Sequence, residues 1–242
     1  MSRVDPRKFS SIEQKGKVKL DRILFKISLI FLVSLFSGTC VNKMEKDMAK
    51  KPSQRELNEY QGKKLSSGTD FRENSIKGPQ KIDKEGYRLK ITGLVKSPKT
   101  YTYDEVIGHP TRQKLINMDC VEGWDVNILW EGVLVKDLLN EAGVDPKARI
   151  VIFYSADGYS TSFPLNYIMD NPIMLAYKMN GLTLPPERGF PFELVAENKW
   201  GYKWIKWVTI IELSDKENFR GYWESRGYSN DGDLDKNFLE EP

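Results

Sequence analysis

From residue 87 onward, short apolar runs separated by Gly, Pro and Asn predict a chain of strands with few helices. Strands are predicted over Tyr87–Val95, Lys114–Met118, Arg149–Tyr154, Tyr159–Phe163, Ile173–Met179, Leu182–Leu184, Phe192–Ala196 and Val208–Leu213. The near-continuous apolar run of Arg149–Tyr154 predicts a strand that is buried on both faces. Asn180-Gly181, between two of these runs, predicts a tight hairpin turn.

Helices are expected at three places in this region. Thr102-Tyr-Asp-Glu105 has the pattern of a capping box and predicts a short helix that ends near Gly108. Leu134–Ala142 carries apolar residues on one side and is followed by Gly143, which predicts an amphipathic helix. A further short helix is predicted from Pro164 to Asp170.

The first 40 residues have the pattern of an export signal. A basic stretch precedes the apolar run Ile23–Phe36, and small residues lead to Cys40. The run is shorter than the roughly 20 apolar residues of a membrane span. Cleavage to a soluble protein, lipidation at Cys40 as in a bacterial lipoprotein, and an uncleaved anchor all remain open at this point.

Polar composition separates this signal from the folded part. Residues 41–80 are rich in Lys, Glu, Ser, Gln and Gly and predict a flexible tether, with a short helix at Gln54–Tyr60. The domain is expected over residues 81–232, and residues 233–242 are expected to form an acidic tail.

Composition excludes several functional classes. The formal net charge of +3 gives no case for nucleic-acid binding. The single histidine, His109, precedes a proline in a predicted turn, so a zinc site built from histidines is excluded. Cys40 and Cys120 lie far apart, which also excludes a cysteine-rich metal site.

Cys120 is the one thiol within the predicted domain, in the stretch N-M-D-C-V-E-G-W-D-V-N-I-L-W that starts at Asn117. A lone thiol is a buried apolar side chain, a nucleophile or a metal ligand. Its place at the end of a predicted strand, beside Glu122 and the turn-forming Gly123, favours a functional role. A nucleophile would lack a suitable histidine base, which weakens that alternative.

The C-V-E-G-W motif resembles the molybdopterin-binding oxidoreductases, the superfamily of sulfite oxidase and the catalytic subunit of the periplasmic methionine-sulfoxide reductase. It is most similar to the second branch. The resemblance implies an α+β mixed-sheet fold of the sulfite oxidase type, without a C-terminal immunoglobulin-like domain. It also implies a molybdenum-molybdopterin cofactor, with Cys120 as the thiolate ligand of the metal.

A second part of the resemblance lies in L-A-Y-K-M-N-G-L-T-L-P-P-E-R-G-F-P and in G-Y-K-W-I-K-W, which are similar to the cofactor-phosphate loops of the family. It implies that Arg188, Gly201, Tyr202 and Lys203 bind the cofactor. Lys206 could add positive charge, and the alternative is a row of lysines on a solvated face.

Glu193 departs from the family pattern, because many relatives carry at this position an arginine that binds the pterin phosphate. Either Arg188 takes over that role, or Glu193 pairs with a neighbouring lysine and faces away. The resemblance further implies that Ser155 contacts the cofactor and that Glu122 and Tyr228 act on the substrate side.

The sequence thus predicts an exported, periplasmic or membrane-anchored enzyme that transfers oxygen atoms. Reduction of an S- or N-oxide, such as oxidised methionine, is favoured over oxidation of a small anion. Electrons would come from an external carrier, a haem-containing or quinone-linked membrane subunit. The alternative is a metal-free anchored binding module on the same fold, which the departure at Glu193 suggests.

Overall fold

Two five-stranded sheets form the framework of the protein. The structure, a computed structural model, describes residues 55–240, so the predicted export signal and residues 41–54 of the tether lie outside it. The strands are β1 (Glu59–Tyr60), β2 (Lys63–Lys64), β3 (Leu89–Gly93), β4 (Lys99–Tyr101), β5 (Thr111–Asp119), β6 (Asp125–Leu134), β7 (Ile150–Ser155), β8 (Ser160–Pro164), β9 (Met174–Met179), β10 (Leu182–Thr183), β11 (Glu193–Val195) and β12 (Val208–Ser214). The α-helices are α1 (Tyr103–Ile107), α2 (Val135–Ala142) and α3 (Leu165–Asp170).

The first large sheet is antiparallel, with strand order β10-β9-β6-β5 and with β11 paired to β9. The second has the order β4-β3-β12-β7-β8. Here β12 runs parallel to β3 and antiparallel to β7, so this sheet is mixed. The expected α+β class with a mixed sheet is therefore confirmed.

Large apolar side chains between these elements form the core. Trp130 of β6, Phe153 of β7 and Leu138 of α2 are fully buried. Burying a side chain of this kind stabilises the fold by about 1.5–3 kcal/mol relative to leaving it in water. The predicted burial of β7 on both faces is confirmed, since only Tyr154 of its residues retains part of its exposure.

Two short sequence motifs correctly predicted the start of a helix and a hairpin turn. Helix α1 begins with the predicted capping box, in which the Glu105 amide donates to the Thr102 hydroxyl and the Thr102 amide donates to the Glu105 carboxylate. The β9–β10 turn has positive φ at both Asn180 and Gly181, as the Asn-Gly pair predicts.

Residues 55–76 differ from the predicted flexible tether, and we call them the N-terminal strap. They contain the β1–β2 hairpin rather than a short helix. The Glu56 carboxylate accepts hydrogen bonds from the Asn180 side chain at 3.0 Å and the Gly68 amide at 2.7 Å. Leu65 is buried, and the Phe71 ring packs against Trp124. Isolated contacts hold the strap, and such contacts leave no periodic pattern in the sequence.

The described part of the predicted acidic tail, residues 233–240, also packs on the domain. Asp233 pairs with Lys199, and Glu240 pairs with Arg220. Leu239 forms a β-bridge with Tyr228. The acidic residues are held because basic side chains of the domain face them, which a composition count does not show.

Candidate functional site

Cys120 follows β5 directly and opens the hairpin loop that leads into β6. The Cys120 amide donates to the Trp124 carbonyl at 2.9 Å, and the Gly123 amide donates to the Cys120 carbonyl at 3.0 Å. Gly123 has a φ of +79°, a conformation that glycine adopts readily. The long β5–β6 ladder on one side and this closed loop on the other fix the position of the thiol.

A cavity of about 180 Å³ lies at this loop, and it brings together most of the predicted site residues. Those that line it are Cys120, Glu122, Ser155, Gly201, Tyr202 and Tyr228. They come from the β5–β6 loop, the end of β7, the turn at Gly201–Lys203 and the segment after β12. Residues far apart in the chain thus converge on one site.

The residue Cys120 is only 6% exposed. Burial raises the pKa of Cys120, and a hydrogen bond from the backbone of Glu122 partly opposes the rise. A thiol in this setting is protonated and unreactive until a cation binds it, because coordination favours the thiolate.

Glu122 and Tyr228 present polar groups from opposite loops of the cavity. The Glu122 carboxylate is exposed and accepts a hydrogen bond from the Trp124 indole at 2.9 Å. The half-buried Tyr228 ring lies between the rings of Tyr202 and Trp223, with centroids 5.1 Å from each. The aromatic rings orient Tyr228, and the indole orients Glu122.

Lys203 differs from its predicted role as a phosphate ligand. Its side chain is fully buried and does not line the cavity. The ammonium donates to the Glu224 carboxylate and the Ser162 carbonyl, each at 2.7 Å, and to the Asn230 carbonyl at 2.9 Å. These partners use the three donors of an ammonium, so none is left for a phosphate.

Arg188 lies with Glu73, Glu193 and Lys206 in what we call the charge cluster. The Lys206 ammonium is 3.1 Å from the Glu73 carboxylate, and the Arg188 guanidinium is 4.0 Å from it. The guanidinium also lies 4.4 Å from the centre of the Phe71 ring. Within this cluster, only Lys206 lines the cavity described above. Lys206 is therefore better placed than Lys203 to present positive charge there.

Glu193 is buried, and one of its carboxyl oxygens has no hydrogen-bond partner among the described residues, so the alternative of a direct pair with a neighbouring lysine is not seen. Burial raises the pKa of Glu193 to about 7, while the positive charges of Arg188 and Lys206 hold it below the value that burial alone would give. The carboxyl group is thus held beside cations, and positive charge at this end of the site has to come from Arg188 and Lys206.

Several cavity residues gave no signal in the sequence. Asn74, Ser75 and Ile76 of the N-terminal strap line the cavity, as do Asp157 and Trp223. The strap residues lie in a polar segment without apolar periodicity, which composition predicts to be disordered. For Trp223, the signal in the sequence is the glycine and aromatic content of Gly221–Tyr228, which is typical of a loop laid over a site.

The donor set of the cavity fits a metal that is held partly by an organic cofactor. Among residues 55–240, no group of three or more His, Cys, Asp and Glu side chains could hold a metal ion. A metal at the soft Cys120 thiolate therefore needs further ligands from outside the chain. The dithiolene of a molybdopterin would supply such ligands, and Lys206 would supply a cation from the lining of the same cavity.

Comparison with known proteins decides the family. A family model described as the oxidoreductase molybdopterin binding domain matches residues 76–223. The chain belongs to the molybdopterin-binding oxidoreductases. Its cofactor is molybdenum-molybdopterin, as the resemblance at Cys120–Trp124 predicted, and the expectation of an oxidoreductase is confirmed.

Relatives of this molybdopterin-binding oxidoreductase include proteins named as an oxidoreductase and as a reductase subunit. The chain is 34% identical over 156 residues to the uncharacterized oxidoreductase YuiH of Bacillus subtilis (strain 168), covering 64% of this chain and 78% of that protein. It is 32% identical over 149 residues to the protein-methionine-sulfoxide reductase catalytic subunit MsrP of Gluconobacter oxydans (strain 621H), covering 54% of this chain and 48% of that protein. The chain thus spans about half the length of this reductase.

A solved structure supports the sulfite oxidase type of fold. The sulfane dehydrogenase SoxCD from Paracoccus pantotrophus matches with a TM-score of 0.57 and 29% sequence identity, covering 64% of this chain and 43% of that chain. The molybdopterin-binding oxidoreductase described here therefore shares both its sequence family and its fold with enzymes that act on sulfur compounds.

Proposed function

We propose that the protein is an extracytoplasmic, molybdenum-dependent enzyme that reduces a neutral S-oxide or N-oxide. In this reaction the oxide takes up two electrons and two protons, and the products are the reduced sulfide or amine and one water molecule. When bound, the molybdenum cofactor supplies the two-electron exchange that this oxygen-atom transfer requires.

The charge of the cavity wall is the observation that carries the proposal. Three described lining residues carry a formal charge: Glu122, Asp157 and Lys206. The Lys206 ammonium is paired with the Glu73 carboxylate at 3.1 Å, and in this proposal its remaining capacity serves the cofactor phosphate rather than the substrate. A small anion such as sulfite would face two carboxylates and no unpaired cation of this wall, whereas a neutral oxide avoids that repulsion.

The aromatic content of the wall agrees with an organic sulfoxide. Tyr202, Trp223 and Tyr228 line the cavity, and the Tyr228 ring contacts each of the other two rings. Aromatic rings make favourable contacts with sulfur and methyl groups. The cavity can therefore hold the side chain of an oxidised methionine, the substrate class in the names of the MsrP relatives.

Most of the predicted site residues have a role that their place supports. Cys120 would bind the metal as a thiolate from the cavity wall. Glu122 and Tyr228 would deliver the two protons to the leaving oxygen from opposite loops. Ser155 and Gly201 would contact the cofactor, and Arg188 and Lys206, rather than Lys203, would offset the phosphate charge.

Electrons and location complete the proposal. An external carrier, a haem-containing or quinone-linked membrane subunit, would supply the electrons. The N-terminal pattern supports export, with the domain facing the extracytoplasmic side or anchored there through Cys40. Within residues 55–240, no helix has the length and apolar content to cross a membrane.

The molybdenum content of full-length protein, matured in a host that makes the cofactor, tests this proposal. We expect about one molybdenum per chain in the unchanged protein and in Cys40→Ala, with loss in Cys120→Ala. Cys40→Ala is the matched control, since it removes the other thiol of the chain. Absence of molybdenum from the matured, unchanged protein would overturn the assignment.

The direction of the reaction needs a separate assay. With a reduced viologen dye as electron donor, we expect turnover of methionine sulfoxide and of trimethylamine N-oxide. Sulfite with an oxidised dye should react far more slowly. Faster oxidation of sulfite than reduction of either oxide would contradict the proposed substrate class while leaving the metal site intact.

A further inference from the structure

A buried ion pair lies directly behind the cavity, although neither of its members lines it. Lys203 and Glu224 are both 0% exposed, and the Lys203 ammonium lies 2.7 Å from the Glu224 carboxylate. The Thr161 hydroxyl donates to the same carboxylate oxygen. Taking two charges out of water is costly, and a buried pair is often no more stable than apolar residues of similar size. Fold stability alone therefore does not account for this pair.

The two residues belong to the two segments that carry the aromatic wall of the cavity. Lys203 ends the turn Gly201–Lys203, directly after the cavity residues Gly201 and Tyr202. Glu224 begins the turn Glu224–Arg226, which lies between the cavity residues Trp223 and Tyr228. One buried ion pair thus connects the two segments that line the cavity, although neither of its residues lines the cavity itself.

The same ammonium also holds the far end of the second segment, because it donates to the Asn230 carbonyl at 2.9 Å. Its third bond, to the Ser162 carbonyl at 2.7 Å, fixes it to β8. The segment from Glu224 to Asn230 is therefore fastened at both ends to a single buried charge. Tyr228 lies between those two points.

Gly221 lies just before Trp223 and Glu224, and its close packing leaves this part of the chain little room to move toward β8. A Cβ at this position would lie 2.3 Å from the Ser160 carbonyl oxygen and 2.6 Å from the Glu224 carboxylate. If the carboxylate is removed, the Lys203 charge is left buried without its partner, and the segment is expected to move outward so that water reaches the ammonium.

We infer that Lys203 and Glu224 are positioning residues that hold Trp223 and Tyr228 against the wall formed by Gly201 and Tyr202. The inference rests on the proposed function, in which Tyr228 acts as a proton donor to the leaving oxygen. A misplacement of about 1 Å can cost a reaction about 100-fold in rate. The pair thereby sets the distance between the proton donor and the reacting oxygen.

Three variants of the full-length protein test this inference. Glu224→Ala removes the carboxylate. Glu224→Gln keeps a carbonyl oxygen that can accept from Lys203 and Thr161. Leu138→Ala, in the fully buried face of α2, lowers the thermal stability at a site that does not line the cavity. The comparison is made at temperatures that lie equally far below the melting temperature of each variant.

The kinetic measurement is the rate per bound molybdenum with methionine sulfoxide and reduced viologen. For Glu224→Ala we expect kcat to fall about 100-fold, with a much smaller change in KM. Glu224→Gln should recover most of the loss, and Leu138→Ala should retain the kcat of the unchanged protein. Equal kcat in Glu224→Ala and Leu138→Ala would overturn the inference.

A measurement without turnover separates this inference from the proposed function. Acrylamide quenching of Trp223, obtained as the difference between each protein and its Trp223→Phe counterpart, is measured on metal-free protein. We expect Trp223 to be quenched more strongly in Glu224→Ala than in Leu138→Ala. Unchanged quenching contradicts the positioning role, whereas a lack of molybdenum in the unchanged protein contradicts only the proposed function.

Discussion

Gly201 lies against the backbone of Cys120. A Cβ at position 201 would be 3.6 Å from the Cα of Cys120 and 3.3 Å from the carbonyl oxygen of Asp119. The turn that carries Tyr202 and the loop that carries the thiol therefore pack without a side chain between them. The distance between the Cys120 thiol and the opposite wall depends on this contact.

Gly201→Ala should for this reason weaken retention of the cofactor. The added methyl group has to push the Cys120 loop away by a few tenths of an ångström, which misplaces the thiol. We expect the affinity for the cofactor to fall by roughly 10–100-fold, as when other groups that support a metal ligand are changed, and the molybdenum content after gel filtration to fall with it.

Gly108→Ala is a matched control for this substitution. Its Cβ would also meet a carbonyl oxygen at 3.3 Å, that of Asp104, but at the end of α1 and away from the cavity. The control should keep its molybdenum. Equal losses in both variants would mean that general destabilisation, and not the contact with Cys120, causes the effect.

Lys206→Gln should lower cofactor retention through charge. The variant removes the cation that lines the cavity beside the predicted phosphate site, and a charge-assisted hydrogen bond contributes about 1.5–3 kcal/mol. We expect a corresponding loss of molybdenum content during dialysis, roughly tenfold or more in affinity.

Lys178→Gln is the control for the general effect of removing a lysine that is part of an ion pair. Lys178 pairs with Glu131 at 2.7 Å and lies over the Tyr177 ring, much as Lys206 pairs with Glu73 and lies over the Trp207 ring. Lys178 is on β9 and does not line the cavity. If Lys178→Gln loses as much molybdenum as Lys206→Gln, the phosphate-side role of Lys206 is contradicted.

Glu193 should make stability depend on pH in an unusual direction. Burial raises the pKa of Glu193 from 4.5 to about 7, despite the opposing charges of Arg188 and Lys206. The folded protein therefore holds this proton more tightly than the unfolded chain. The contribution is fully present below about pH 4.5 and is lost as the pH rises through 7.

Urea unfolding of the metal-free protein at pH 5 and pH 8 checks this dependence. A shift of one pKa unit corresponds to about 1.4 kcal/mol. Between pH 5 and pH 8, the free energy of unfolding of Glu193→Gln should therefore rise by about 3 kcal/mol relative to that of the unchanged protein. Glu187→Gln, which neutralises an exposed carboxyl in the preceding turn, should follow the unchanged protein. Parallel pH profiles for Glu193→Gln and the unchanged protein would show that the carboxyl is not held in its buried place.

Patterns confined to a few neighbouring residues predicted much of the fold. The Thr102–Glu105 capping box and the Asn180-Gly181 turn are determined by hydrogen bonds and backbone angles within the motif itself. The strand β6 was missed although Trp130 lies within it. Its apolar residues include buried positions on both faces and a glycine, so the alternation that marks a strand is absent.

The site could be predicted from the sequence where a short motif contains the reactive residue. It could not be predicted where tertiary packing determines which side chain faces the cavity. Cys120 was found because a thiol at a strand end is distinctive in a chain with two cysteines. Lys203 and Lys206 lie three residues apart in an irregular turn, and no period shows which of them faces the cavity. The structure decides it, because Glu224 comes from a distant part of the chain and holds Lys203 inside.

The N-terminal strap extends the packed domain beyond the segment that the family model covers. The family match begins at residue 76, yet Glu56 and Phe71 already contact the domain. A fragment cut at the start of the homologous region would expose the edges of Trp124 and Trp130 and would lack Asn74 and Ser75 from the cavity wall. The segment that the family model covers and the packed domain therefore have different borders, and residues from both sides of residue 76 line the cavity.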